Sequence, residues 1–423
     1  MAPLVQNHKD GNQVRKKNLF VVSMYFFIPL ERLSKEYIDK IQNTKDEIKA
    51  PDYIQNAGFV CKYLDLSKSE SISDQEFIYK SLDPENGESI SRKINLHPFL
   101  FQFYPDKTQR KGIPFLVIRT SINKKFTDSP TSTDTLTSDL CTEYDVIMLR
   151  QSLLKPNGQG AYFHRDDKKY NHREWLENIV NLIEESPINE DRKKHISFFN
   201  SITDICTTSI DKEQVNNYEE AFTNEYYCAN INNIRITNDD RRFCYGILTG
   251  NENYMRVPKT ELDAILKEGY SNNITEHTFA VPKSIVFIKK HHPFPNASRI
   301  SVMPESLCFI QYIHEMCGCL YIDRQLKQTR QLFRSKESAK IKSALSSLAE
   351  TLGTKLFRIT EADHRAEYIY SAFGLRDEYE RLKERGNLLA DALNIKYSRR
   401  NNLVLIALTI LTILIGLLQI ILK

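Results

Sequence analysis

Apolar residues follow two different rhythms along the chain. Up to about residue 303 they come in short runs separated by Gly, Pro, Asn, Asp and Ser. β-branched and aromatic residues fill the first run, Leu19 to Leu30 (LFVVSMYFFIPL), which predicts a buried strand over Leu19 to Ile28. Arg15, Lys16 and Lys17 precede it and imitate the charged head of a signal peptide. The run is too short to span a bilayer and lacks a small-residue cleavage site, so a strand is the expectation. An amphipathic helix over Leu30 to Ile41 follows. Strands are expected at Phe59 to Leu64, Phe99 to Tyr104, Ile113 to Thr120, Tyr144 to Leu149, Ile231 to Thr237, Arg242 to Leu248 and Ser284 to Ile288. Helices are expected at Glu174 to Glu185, where Trp175, Ile179, Leu182 and Ile183 share a face, and at Pro258 to Glu268. Lys124 to Leu140, rich in Ser, Thr and Asp, reads as an exposed loop. Lys155 to Gly160 reads as a turn cluster.

From Pro304 helical spacing takes over. Phe309, Ile313, Met316 and Leu320 fall on one stripe, and Ser338 to Leu352 is another helix candidate. Between Glu361 and Arg400, Tyr368, Ala372, Leu375, Tyr379, Leu382, Gly386, Leu389 and Leu393 are spaced alternately by four and three. That is a heptad seam on one long helix, suited to a self-associating stalk or to a helix lying on its own domain. Lys396, Arg399 and Arg400 form a basic juncture before an uncharged run, Leu403 to Leu422. Twenty residues at about 1.5 Å each cover about 30 Å, the thickness of a hydrocarbon core. With only Lys423 after it, the run is expected to insert as a tail anchor. The basic juncture places the preceding part in the cytoplasm, at an inner or plasma membrane crossed once. Within the run Thr409, Thr412, Gly416 and Gln419 make a small and polar stripe, which Asn402 extends backward. Such a stripe suits helix association or the wall of a narrow pore.

These patterns predict α+β cytoplasmic domains followed by long helices and one C-terminal transmembrane helix. The expected division is a disordered basic tail at 1–17, an α/β domain at 18–155, a second β-rich part at 156–303, a helical region with stalk at 304–400, and the span at 403–422. Composition adds little: 41% hydrophobic and 26% charged residues are ordinary for a globular chain of 423 residues. The net charge of +4, without a dense Lys/Arg stripe, gives no strong nucleic-acid signal. Eight scattered cysteines form no disulfide framework and favour a reducing compartment. Asn296-Ala297-Ser298 matches a glycosylation acceptor and matters only in a secretory lumen.

Candidate chemistry is sparse. His314, Cys317 and Cys319, with Cys308 upstream, carry zinc-type ligands, but residues two apart on a helix do not face each other. A buried helix with inert thiols is the competing reading, and no cofactor is predicted. His291-His292 could meet a metal or phosphate. Gly158-Gln159-Gly160 lacks the Lys-Ser/Thr of a P-loop. His164 to Asp167 and Asp239 to Arg242 read as charged turns. No Ser-His-Asp, HExxH or kinase signature occurs, so no enzyme activity is expected.

The stretch YERLKERGNLLADALNIKYSRRNNLVLIALTILTILIGLLQ resembles the CorA-type divalent-metal channels, whose stalk helix runs unbroken into the pore helix. It lacks that family's Gly-Met-Asn signature and second membrane helix. The late helix, the Tyr397-Ser398-Arg399-Arg400 juncture and the terminal span also resemble a tail-anchored family involved in mitochondrial translation. Either resemblance covers about the last sixty residues and implies an architecture. The expected partners are the lipid bilayer, a second copy of the chain, and a cytoplasmic ligand or protein. The expected role is a membrane-tethered sensor or effector, with membrane disruption in bacterial defence as one form. The alternatives are an anchored scaffold or a CorA-like ion-transport relative.

Overall fold

The computed structural model describes residues 19–44, 47–49, 60–68, 72, 75–82, 89–104, 112–123, 143–154, 161–165, 168–188, 200–208, 236–266, 269–273, 276–290, 307–335, 338–353 and 360–421. The chain forms two units, residues 1–316 with 357–369, and residues 317–356 with 370–423. The expected segments 1–17 and 124–140 lie outside the described residues, as does nearly all of the strand expected at Ile231 to Thr237.

The first unit is built on β1, Leu19–Pro29. It pairs antiparallel with β6, Ile113–Asn123, on one side and with β9, Asn200–Thr208, on the other. Both of its faces are buried. Val22, Met24, Phe26 and Ile28 line one face; Ser23, Tyr25 and Phe27 line the other. A strand covered on both sides reads as an unbroken apolar run, which explains the imitation of a signal peptide. Beyond β6 lies β5, Ser89–Tyr104. Along its other edge β5 pairs first with β4, Gln75–Leu82, through Leu96, and then with β3, Val60–Asp65, from Phe99. Pro98, with no N–H to donate, stands in the gap between these partners. The strand thus runs well upstream of the expected Phe99 to Tyr104. The short β2, Glu47–Lys49, adds to β3, while β7, Ala161–Arg165, and β8, Lys168–Asn171, follow β4.

On the opposite side β12, Ser284–Lys290, lies parallel to β9. It is followed outward by β11, Glu276–Val281, and β10, Tyr270–Asn273. One sheet therefore takes strands from both sides of the Lys155 to Gly160 turn cluster, and both stretches belong to the first unit.

Helices cover the face carrying Met24 and Phe26. They are α1 (Lys35–Asn43), α2 (Glu143–Leu154), α3 (His172–Ile183), α4 (Asn238–Thr249) and α5 (Lys259–Leu266). α3 buries Trp175, Ile179 and Ile183 of the expected face but leaves Leu182 exposed, and Trp175 meets Phe77 edge-on at 5.2 Å. Asn171 and Glu174 close a capping box at its start. Two expected strands are helices instead: Tyr144 to Leu149 lies in α2, and Arg242 to Leu248 lies in α4. In α2, Val146, Ile147, Leu149, Arg150, Ser152 and Leu153 are all buried, so its short apolar run has no polar side to reveal a helical period. For α4 the helix signals were present in the sequence. Thr237 and Asp240 form a capping box, and Gly250 ends the helix at φ 71°.

Among the described residues four helices follow: α6 (Leu307–Ser335), α7 (Ser338–Gly353), α8 (Thr360–Ala372) and α9 (Leu375–Ile421). α6 and α8 contribute residues to both units. The single long helix expected over Glu361 to Arg400 is broken between α8 and α9 by Gly374 at φ 68°, a left-handed backbone that suits glycine. In the second unit α7 packs against α9. A Cβ on Gly386 would stand 2.8 Å from Leu345 Cδ1 and 3.5 Å from the Phe333 ring, so the missing side chain permits this close packing.

Candidate functional site

Three features of the described residues bear on function: the exposed end of α9, a buried ion pair at the base of α8, and a buried arginine on α2.

In α9, Leu403, Val404, Leu405, Ile406, Leu408, Ile410, Leu411, Ile413, Leu414 and Ile415 are each more than half exposed. Full burial is worth roughly 1.5–3 kcal/mol for each such side chain, so these ten, about half exposed, leave on the order of 10 kcal/mol unrealised in water. The stretch Ser398–Ile415 is long and apolar enough to cross a membrane, and none of it is buried within the chain. Asn402 is exposed, as are the juncture residues Lys396, Arg399 and Arg400. The Thr409 and Thr412 hydroxyls each donate to the carbonyl four residues back, Leu405 and Leu408, at 2.8 Å. Gly416 and Gln419 belong to the helix, but the side chains there lie outside the described residues.

The seam residues have separate fates. Leu375 and Leu382 are buried within the chain, and Gly386 is packed on Leu345, Phe333 and Ile341. Tyr379 and Leu389 are half-buried, and the Leu393 side chain lies outside the described residues. Tyr368 belongs to the first unit. Its hydroxyl accepts the Ala280 N–H at 3.1 Å, its ring stacks on Tyr270 at 6.4 Å, and burial raises its pKa. Heptad spacing reports which positions are covered and not what covers them.

Glu315 on α6 and Arg365 on α8 form a buried ion pair in the first unit. Arg365 Nε donates to Glu315 Oε1 at 3.0 Å, and the side chains are 8% and 0% exposed. The guanidinium also lies 5.5 Å above the Phe287 ring of β12. Phe287, Ile285, Ile202, Tyr25, Phe27 and Phe99 are buried on the sheet face opposite the five-helix core. The pair and Tyr368 therefore hold α8 to the strands that carry this face.

No protein-family model matches this chain, and no curated protein or solved structure matches it. Function must be read from these features alone.

The third feature was missed in the sequence. Arg150, 4% exposed, sits on the apolar side of α2 among Val146, Leu149 and Leu153. Its Nη2 donates to Ser284 Oγ at 3.1 Å, and Ser284 Oγ lies 3.0 Å from Ser201 Oγ. Burial lowers its pKa to about 10, so the cation persists at neutral pH. The signal was partial: once 143–154 is read as a helix, Arg150 falls on one side with Val146 and Leu153, four residues before and three after it.

Cys317 and Cys319 are buried in α6, and the His314 side chain lies outside the described residues. Among the described residues no group of three metal-type ligands occurs. His291-His292, Gly158-Gln159-Gly160 and Asp166-Asp167 fall outside the described residues. Asp239 to Arg242, expected as a charged turn, forms the first turn of α4. There Arg242 pairs with Asp239, and Arg241 reaches Asp263 of α5. Cys244 on α4 is buried, and that burial pushes its thiol well above the ordinary range, which removes it as a nucleophile at neutral pH.

Proposed function

We propose that this chain is a membrane-tethered sensor or effector. Its α+β unit takes a ligand or protein partner, and its helices carry the consequence to α9 in the bilayer. The supporting observation is the exposed apolar end of α9. A core helix of a soluble protein would be buried, and a signal sequence would lie near the N-terminus; this helix fits neither description. Lipid is the occupant we infer, with Lys396, Arg399 and Arg400 at the anionic headgroups and the sheet-bearing unit in the cytoplasm. Insertion is tested by alkaline extraction of membranes carrying the full chain. An arginine at Leu408 costs about 2.5–3.5 kcal/mol at a helix centre and should release the protein. A wild-type chain extracted as readily as a soluble protein would overturn the reading.

Signalling through α9 requires the membrane helices of several copies to meet, so the detergent-solubilised mass should be that of an oligomer. A monomer would leave the second reading, an inert anchor for a scaffold. One observation favours that alternative: the Thr409 and Thr412 hydroxyls are already satisfied within their own helix and call for no partner. Replacing Thr409, Thr412 and Gln419 together with Leu separates the two. An effector or conducting pore should lose its ion leak or growth arrest on overexpression, whereas a scaffold should not change. The same leak assay covers the CorA-like reading, in which divalent cations would be the permeant species.

A further inference from the structure

We propose that Arg150, Ser284 and Ser201 form an oxoanion site that takes a phosphate group, a binding function that stands whether or not α9 enters a membrane. A guanidinium offers five N–H donors in a planar fork matched to phosphate oxygens. Among the described residues the only hydrogen-bond acceptor for Arg150 is the Ser284 hydroxyl, no carboxylate pairs with it, and Nε is buried without a partner. A buried cation without a counter-ion is expensive, and an apolar side chain of similar length would fill the same space more cheaply. Among the described residues the apolar neighbours of Arg150 offer nothing that repays the charge, and an anion is the component we infer.

The hydroxyls stand where they can complete such a site. β9 and β12 run parallel with Ser201 directly opposite Ser284, so both hydroxyls rise from one rung on the face that the helices cover. On the next rung of that face Thr203 carries a buried Oγ1 without a partner. Serine and threonine hydroxyls donate to an oxoanion as readily as to each other. The Ser201–Ser284 bond can therefore be exchanged for two bonds to phosphate oxygens, while Nη2 and Nε of Arg150 supply the charged pair. The turn beside the cluster is exposed. Ser284 directly follows Pro282 and Lys283, both exposed, in the two-residue connection from β11 to β12. Lys283 there holds φ 71°, and its carbonyl accepts the Ser201 N–H at 3.0 Å, tying the turn to the rung that carries the hydroxyls.

The test is calorimetric titration of the full chain in detergent with inorganic phosphate, at constant ionic strength against chloride, alongside thermal unfolding. One site per chain and a phosphate-dependent rise in melting temperature are expected. Arg150→Met should lower the affinity by at least about tenfold, the loss of one charge-assisted contact, and should melt no lower than wild type without phosphate. Arg150→Lys keeps the charge without the fork and should fall between the two. Should Arg150→Met fail to fold, Ser284→Ala, which removes one hydroxyl, decides: weakened phosphate binding supports the site, and unchanged binding overturns it. The proposal is also overturned if phosphate does not stabilise the wild type, or stabilises Arg150→Met equally. Phenyl phosphate titrated in parallel separates sources. Tighter binding of the ester points to a phosphorylated metabolite, and tighter binding of inorganic phosphate points to the free ion.

Discussion

The buried Glu315–Arg365 pair allows the docking of α8 on the sheet to be measured. Glu315→Gln keeps the shape of the side chain and removes its charge from beside the Arg365 cation, which is 8% exposed above Phe287. Two unit charges about 4 Å apart interact by about 4 kcal/mol at an effective dielectric of about 20. Breaking a buried pair from one side typically costs about 3–5 kcal/mol. The two figures agree, so Glu315→Gln should loosen α8 by about that amount. The Ala280 amide reports it directly, because its N–H donates to Tyr368 Oη on the same helix. At about 1.4 kcal/mol per tenfold, its hydrogen-exchange protection should fall by roughly a hundredfold to a few thousandfold, provided the exchange runs through opening of α8. The double variant Glu315→Leu with Arg365→Met removes both charges and should recover most of the loss. If Glu315→Gln changes Ala280 protection by less than about threefold, the pair is screened by water, and the low-dielectric argument fails.

Three further outcomes follow from other parts of the first unit. Gly246→Ala should destabilise the chain by about 1–3 kcal/mol in urea unfolding, despite the better helix propensity of alanine. The new Cβ would stand 2.6 Å from Ile147 Cδ1 and 2.9 Å from Tyr254 Cβ, and the second of these atoms cannot swing away. A stabilised Gly246→Ala would show that α4 can shift freely. Lys283→Gly should raise stability by about 0.5–1 kcal/mol, since glycine accepts φ 71° without the steric cost, less the greater entropy of its unfolded chain; a loss would contradict the strain. His277, stacked on Phe279 and half-buried, has its pKa lowered first by burial and then by the nearby Arg241, with Asp240 opposing. Its folded form favours the neutral ring, so its contribution is present above the ordinary value of about 6.5 and is lost as pH falls below it. His277→Phe should flatten the stability profile between pH 7 and 5, and an unchanged slope would remove His277 as the cause.

Much of the secondary structure was legible because burial leaves a period in the sequence. The α3 face was readable from Trp175, Ile179 and Ile183, and β1 from its density of β-branched and aromatic residues. The apolar end of α9 was readable as well, because twenty uncharged residues have few other uses. α2 and α4 were misread as strands because their apolar runs are short and covered nearly all round, and such a run looks alike in either conformation. The seam shows the same limit from the other side. Its spacing announced a buried stripe, but Gly386 turns that stripe toward α7, and Gly374 cuts Tyr368 away from it. Periodicity is a property of one element, so the chain by itself determined which residues would be covered. The identity of the cover is a relation between distant segments. Only the tertiary structure could bring Arg150 onto Ser284, and Glu315 onto Arg365, across 134 and 50 positions of sequence.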